Sequence, residues 1–244
     1  MISTNGNATT GEPKKDETGG VEKGQGSGKN PVGELLYGAV KALGGTALKF
    51  VNKLRVEGEE NVPAMGKAIL FTVSENPLRD MVAIAQVTGR KVQFMVNPKL
   101  MKTPVVGPLL KTLGMFRSTT SKDDTEPVQM VFKILNEDGN LVAMTPEARL
   151  GREVVIKSVA AILKFAVATG APVVPLAIST EHEPLLGGLL SVPRYRIVIG
   201  EPVQVPKKFN RDKFREERYQ RAEELVDLVE GLRSRPPPGQ EQGA

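Results

Sequence analysis

The chain contains no cysteine and a single histidine, His182. Thiolate nucleophiles, disulfides and cysteine-type zinc sites are excluded, multi-histidine metal sites as well, and no metal is expected. Any histidine-based catalysis must use His182. That residue follows the apolar run GAPVVPLAI in what reads as a loop, where an isolated histidine faces solvent. Two other segments stand out. SENPLRD (74–80) carries Glu75, Arg79 and Asp80, and TPEARLGRE (145–153) carries Glu147, Arg149 and Arg152.

Both segments follow short buried-strand patterns, KAILFTVS (67–74) and NLVAMTP (140–146). Further strands are read at LRVEG (54–58), KVQFMV (91–96), APVVPLAIS (171–179) and RYRIVIGEPV (194–203). Helical periodicity lies between them, over 81–89, most of 99–113, 126–139, 155–170 and 211–234. Strands alternating with helices predict an α/β fold, a mostly parallel sheet covered by helices on both faces. In such a sheet, chemistry belongs at the carboxyl ends of the strands, where both segments fall.

Residues 1–30 are rich in Gly, Thr, Ser, Lys and Glu and carry no aromatic residue, so they read as a disordered tail; the stretch 235–244 reads likewise. A single domain is expected over 31–234. It opens with an amphipathic helix over 33–54, with Leu36, Val40, Leu43, Ala47 and Val51 on one face and lysines off it. That pattern suits a helix packed on its own domain and equally a peripheral membrane contact. There is no apolar segment of the secretory type near the first residues, and no apolar run reaches the ~18 residues of a membrane span. The expectation is a cytoplasmic protein, or one peripheral on the inner face of the membrane.

The net charge is +5. A basic excess suits a phosphate-bearing partner: nucleic acid, anionic lipid or a phosphorylated small molecule. No helix-turn-helix, zinc or aromatic stacking signature supports nucleic acid. The sequence sets no oligomeric state.

The order and spacing of six segments between residues 54 and 204 resemble the lysophosphatidate (glycerolipid) acyltransferases. LRVEGEENVPAMGKAILFTVS is similar to the family's Gly-x-Glu-Asn-(Val/Ile)-Pro element and first core strand. SENPLRD stands at its His-x-x-x-x-Asp box, and VQFMVNPKLMKTPVVGPLLKTLGMF at its Phe-Met…Pro-x-x-Gly…Leu-Gly-x-Phe segment. TPEARLGRE stands at Phe-Pro-Glu-Gly-Thr-Arg-Ser, followed by GAPVVPLAI and RIVIGEPV. The resemblance implies a glycerolipid acyltransferase-like fold and transfer of an acyl group from acyl-CoA or acyl carrier protein to a lysophospholipid-type hydroxyl, in phospholipid biosynthesis. No cofactor is implied beyond the acyl thioester donor.

In that family the histidine is the general base and the aspartate orients it. Here the base position is Glu75 and the aspartate is Asp80. A carboxylate of ordinary pKa, about 4.3, is a poor base for an alcohol at neutral pH unless burial or repulsion from Asp80 raises it; Arg79, if turned inward, opposes that. The expected substrate-binding residues are Arg117, Thr120, Glu147, Arg149 and Lys157. Thr120 stands where the family places a phosphate-binding arginine, with Arg117 nearby but out of register. Arg149 comes one position early, and Lys157 or Arg152 could compensate. Two readings remain open: an acyltransferase with Glu75 as base or with positioning alone, and an inactive member that binds lipid or a partner enzyme.

Overall fold

The computed structural model describes residues 34–35, 37–39, 41–42, 54–104, 106–121, 123–185, 190–206 and 213–236. The expected tail over 1–30 lies outside these residues, as do Leu36, Val40, Leu43, Ala47 and Val51 of the expected first helix. The described part of that helix packs on its own domain. Tyr37 is buried, its hydroxyl accepts the Val92 N–H at 3.2 Å, and Gln86 donates to the Lys41 carbonyl at 2.9 Å.

Among the described residues seven strands form one sheet in the order β1-β7-β6-β2-β5-β3-β4. They are β1 (Arg55–Glu57), β2 (Ala68–Phe71), β3 (Val92–Val96), β4 (Phe116–Arg117), β5 (Leu141–Met144), β6 (Val173–Leu185) and β7 (Leu190–Ile199). Every neighbouring pair is parallel except β6 with β7. The helices are α1 (Pro77–Ile84), α2 (Pro98–Met101), α3 (Val106–Thr112), α4 (Glu126–Phe132), α5 (Arg152–Thr169) and α6 (Phe214–Ser234).

The central strands are apolar throughout because both faces are covered. On β2, Ile69 and Phe71 point into one core with Val159 and Leu163 of α5 and Val226 and Val229 of α6. Ala68 and Leu70 point into the other, with Met81 and Ile84 of α1 and Leu110 of α3. The α/β architecture read from the sequence is the one observed. No helix among the described residues is long and apolar enough to cross a membrane.

Several boundaries differ from the sequence reading. The helix expected over 81–89 begins at Pro77, behind its Asn76 cap, and ends at Ile84, and the strand expected over 194–203 runs from Leu190 to Ile199. The helix expected over 126–139 is α-helical only to Phe132 and continues as a π-helical turn, Lys133–Glu137. The stretch expected to be helical around Pro104 and Pro108 divides into α2 and α3. The strand expected to end at 179 runs on to Leu185 and pairs with β7, His182 opposite Pro193. His182 therefore sits in a strand and not in a loop. Long-range pairing, invisible to local patterning, extends it. Beyond α6, the first two residues of the expected C-terminal tail are tied down, since Arg196 donates to the carbonyls of Arg235 and Pro236.

The close approach of α2 and α3 requires a glycine. A Cβ on Gly107 would run into the backbone carbonyl of Met101, and neither helix can retreat without disturbing the core under Leu110. Gly107→Ala is expected to cost about 2 kcal/mol or more, read as a drop of several degrees in thermal melting; an unchanged melting temperature would contradict the packing described.

Candidate functional site

β2 and β5 pair in parallel from Ala68 opposite Leu141 to Phe71 opposite Met144, so both strands end at the same level. The chains stay in contact beyond them. Ser74 N–H donates to the Pro146 carbonyl at 2.8 Å, and Ala148 N–H donates to the Ser74 carbonyl at 2.8 Å. The turns 74–76 and 145–148 are thereby held as one unit. Helix α1 begins at once: the Asn76 side chain caps it by accepting the Arg79 N–H at 3.2 Å, and Pro77 takes the first position.

Asp80 lies in the first turn of α1 and is 1% exposed. The Ser74 hydroxyl donates to its Oδ2 at 2.7 Å and Arg79 Nε donates to its Oδ1 at 2.7 Å. Arg79 points inward. Its Nη1 donates to Thr180 Oγ1 on β6 at 2.9 Å, and the guanidinium lies 5.5 Å from the ring centre of Tyr195 on β7. Glu75 goes the other way. Its side chain is 58% exposed, with Arg233 Nη1, from the last turn of α6, 3.5 Å from its Oε1. Arg233 also donates to the Val73 carbonyl at 2.7 Å. Glu75 is therefore not buried, and each carboxylate of the box faces its own arginine.

Beside these turns lies a cleft of about 650 Å³. Its walls are largely apolar, with Met81, Met95, Leu100, Val155, Ile162 and Phe165 among them. Polar groups gather towards the strand ends: Asn76, Asn97, Lys99, Ser118, Thr119, Glu147 and Arg149. Glu147 is buried and receives Asn97 Nδ2 at 3.0 Å and Arg149 Nε at 2.5 Å. Burial pushes its carboxyl up, but Arg149, Asn97 and the nearby Lys99 outweigh this and hold it below the usual range. It is a carboxylate at neutral pH.

Of the residues expected to bind substrate, the structure brings only Glu147 and Arg149 to this cleft. Glu75 and Asp80 do not line it, although their neighbours Asn76 and Pro77 do. Arg117 and Thr120 are engaged elsewhere. Arg117 makes a two-pronged pair with Asp124 and a 2.8 Å contact with Glu126, while the Thr120 amide and hydroxyl both donate to Asp124 Oδ2 at 2.9 Å. The acid six residues past Ser118 draws both into the loop, leaving Ser118 and Thr119 at the cleft. Lys157 pairs with Glu153 at 2.6 Å on an exposed face of α5, and Arg152 reaches Asp227, Glu230 and Glu223 on α6. Neither lines the cleft.

Ser74, Asn97 and Arg233 escaped the sequence reading. Ser74 and Asn97 lie inside segments singled out for other residues, and a short polar side chain at a strand end is a signal that could have found them. Arg233 carries none. It is one arginine among many on a charged helix, and only the packing of α6 brings it to the turn.

A family model described as "Acyltransferase" matches residues 53–179, more than half of the chain. The fold is similar to the crystal structure of the 1-acyl-sn-glycerophosphate (LPA) acyltransferase, PlsC, from Thermotoga maritima. That likeness has 22% identity and a TM-score of 0.54, and covers 86% of each chain. Comparison with curated proteins gave no match.

The Arg117–Asp124 knot has a pH signature. Arg117, followed by the Thr120 amide, holds the Asp124 carboxyl far below the usual range. A carboxyl depressed by folding stabilises the protein above its unfolded pKa, about 3.9, and that contribution fades as pH falls through the lower folded value. Asp124→Asn is therefore expected to lower the melting temperature at neutral pH, with the gap to the parent closing below about pH 4. Melting curves across this range check it; a gap that persists in acid would assign the loss to something other than the carboxylate.

Proposed function

Since this chain belongs to the acyltransferase family, we propose that its cleft binds an acyl thioester and a lysophospholipid-type acceptor, and that it transfers the acyl chain only slowly, by positioning without a general base. The observation that carries this reading is the pairing of both carboxylates of the 75–80 turn with arginines, next to an intact cleft.

Acyl transfer from a thioester to an alcohol forms an ester bond, breaks the carbon–sulfur bond and releases a thiol. The alcohol must give up its proton as it attacks, and a base within hydrogen-bonding reach is what accelerates that step. Asp80 is buried with both oxygens engaged, and Glu75 lies outside the cleft wall beside Arg233. Binding has better support. An apolar trough of this volume suits an acyl chain, and the polar end offers Lys99, Arg149, Asn97 and the Ser118–Thr119 pair to a carbonyl or phosphate. Positioning of two reactants contributes to rate without proton transfer. The similarity in fold to an enzyme named for 1-acyl-sn-glycerophosphate supports a glycerolipid acceptor. The donor, acyl-CoA or acyl carrier protein, enters the proposal as a thioester of either kind.

Titration calorimetry with lysophosphatidate is expected to give saturable binding that is lost when Ala161→Trp fills the cleft. Thiol release from an acyl thioester is expected to be slow and to change little in Glu75→Gln, whereas removing a true general base typically costs about 10²–10⁴ in rate. A loss of that size would make Glu75 the base and overturn the base-free reading. Failure of lysophosphatidate to bind would overturn the acceptor class.

A further inference from the structure

Arg79 is more deeply built into this site than a solvated helix residue should be. It leaves the first turn of α1 and crosses to the sheet, where Thr180 of β6 accepts its Nη1 at 2.9 Å and the Tyr195 ring of β7 supports its guanidinium face. Its Nε is spent on Asp80 Oδ1. With Ser74 on Oδ2, both oxygens of Asp80 are engaged in a fixed geometry. A carboxylate aids a neighbouring base by accepting its N–H and stabilising the cation that forms. Each oxygen keeps a second lone pair, but a guanidinium anchored at two other points fixes the carboxylate's orientation and offsets the charge that would stabilise a neighbouring imidazolium.

We propose that Arg79 is a positioning residue that acts through Asp80: it holds this carboxylate in a structural ion pair and so prevents it from orienting a base at position 75. The proposal rests on the acyl-transfer reading of the adjacent cleft. Its consequence is that supplying an imidazole at position 75 does not by itself rebuild a base–orienter pair; Arg79 has to be removed as well.

The charged groups around position 75 are Arg79 and Asp80 on α1, Arg233 on α6, and Glu147 across the Ser74–Ala148 backbone contact. In Glu75→His with Arg79 in place, the new imidazole meets the Arg233 cation while Asp80 is occupied. In Glu75→His combined with Arg79→Gln, Asp80 is free to accept the imidazole N–H.

The experiment is proton NMR titration of the imidazole in both variants. The chain's single native histidine supplies one reference resonance, so the second resonance is assigned by its presence. Removing Arg79 is expected to raise the imidazole pKa by about one unit or more, and adding Asp80→Asn is expected to abolish the rise. With its ring turned from Arg233 towards Asp80, beside the cleft-lining Asn76, the imidazole of the double variant is expected to raise thiol release over Glu75→His alone by at least about tenfold, with an acidic limb that follows the imidazole pKa. Equal pKa values with and without Arg79, or a rise that survives Asp80→Asn, would overturn the proposal. A separation in pKa without any thiol release would uphold the role of Arg79 and count against the transfer reading. Arg79→Leu serves as the second variant, and melting curves confirm that each protein is folded.

Discussion

The parallel pairing of β2 with β5 is the constraint on which the rest of the site depends. Four residue pairs in register bring two strands that are far apart in sequence to a common end, and the backbone contacts of Ser74 with Pro146 and Ala148 carry that register past the strands. The start of α1, the burial of Asp80, the placement of Glu147 and the mouth of the cleft all follow from where those two turns are held. A slip of one residue would exchange the two cores, moving Ile69 and Phe71 to the face now occupied by Ala68 and Leu70. The apolar character of both faces, packed against different helices, opposes it.

Charge bookkeeping inside this frame explains why the turn looks as it does. A carboxylate as buried as that of Asp80 needs hydrogen-bond donors or a cation, because burying an unpaired charge costs on the order of several kcal/mol. Ser74 and Arg79 supply these. Glu147 meets the same requirement with Asn97 and Arg149. Glu75 has no such need, since it is half exposed, and its contact with Arg233 at 3.5 Å is a looser one. The three acids thus differ in what surrounds them: two are members of closed networks and one sits at the rim.

Much of the fold was legible because strands and helices here differ in period and are punctuated by turns. β2, β5 and α5 each show their apolar run plainly. The extension of β6 to Leu185 was not legible, because residues such as Glu181, His182 and Pro184 owe their strand conformation to β7. At the site, the sequence placed Glu147 and Arg149 near the strand ends, and the cleft contains them. It could not show that Asp124 draws Arg117 and Thr120 into a loop, since an acid four to seven residues away is ordinary in any surface segment. The inward turn of Arg79 depends on Thr180 and Tyr195, both more than a hundred positions further along, and the arrival of Arg233 at Val73 spans 160 positions. Contacts of that separation leave no local trace in composition or spacing.

The sheet order has a consequence for how the molecule is made. Among the described residues β1 pairs only with β7, the last of their strands, and its Glu57 waits for Arg196. Arg233 belongs to the last turn of α6. As the chain leaves the ribosome, β2, β3 and β5 can find one another early. β1 stays without its neighbour until β7 emerges, and the 74–76 turn lacks one of its two arginines until α6 has followed. Such late closure between distant parts of the chain is entropically slow. The two ends of the described domain are therefore its natural clasp, and the turn beside the cleft takes its final shape only when that clasp shuts.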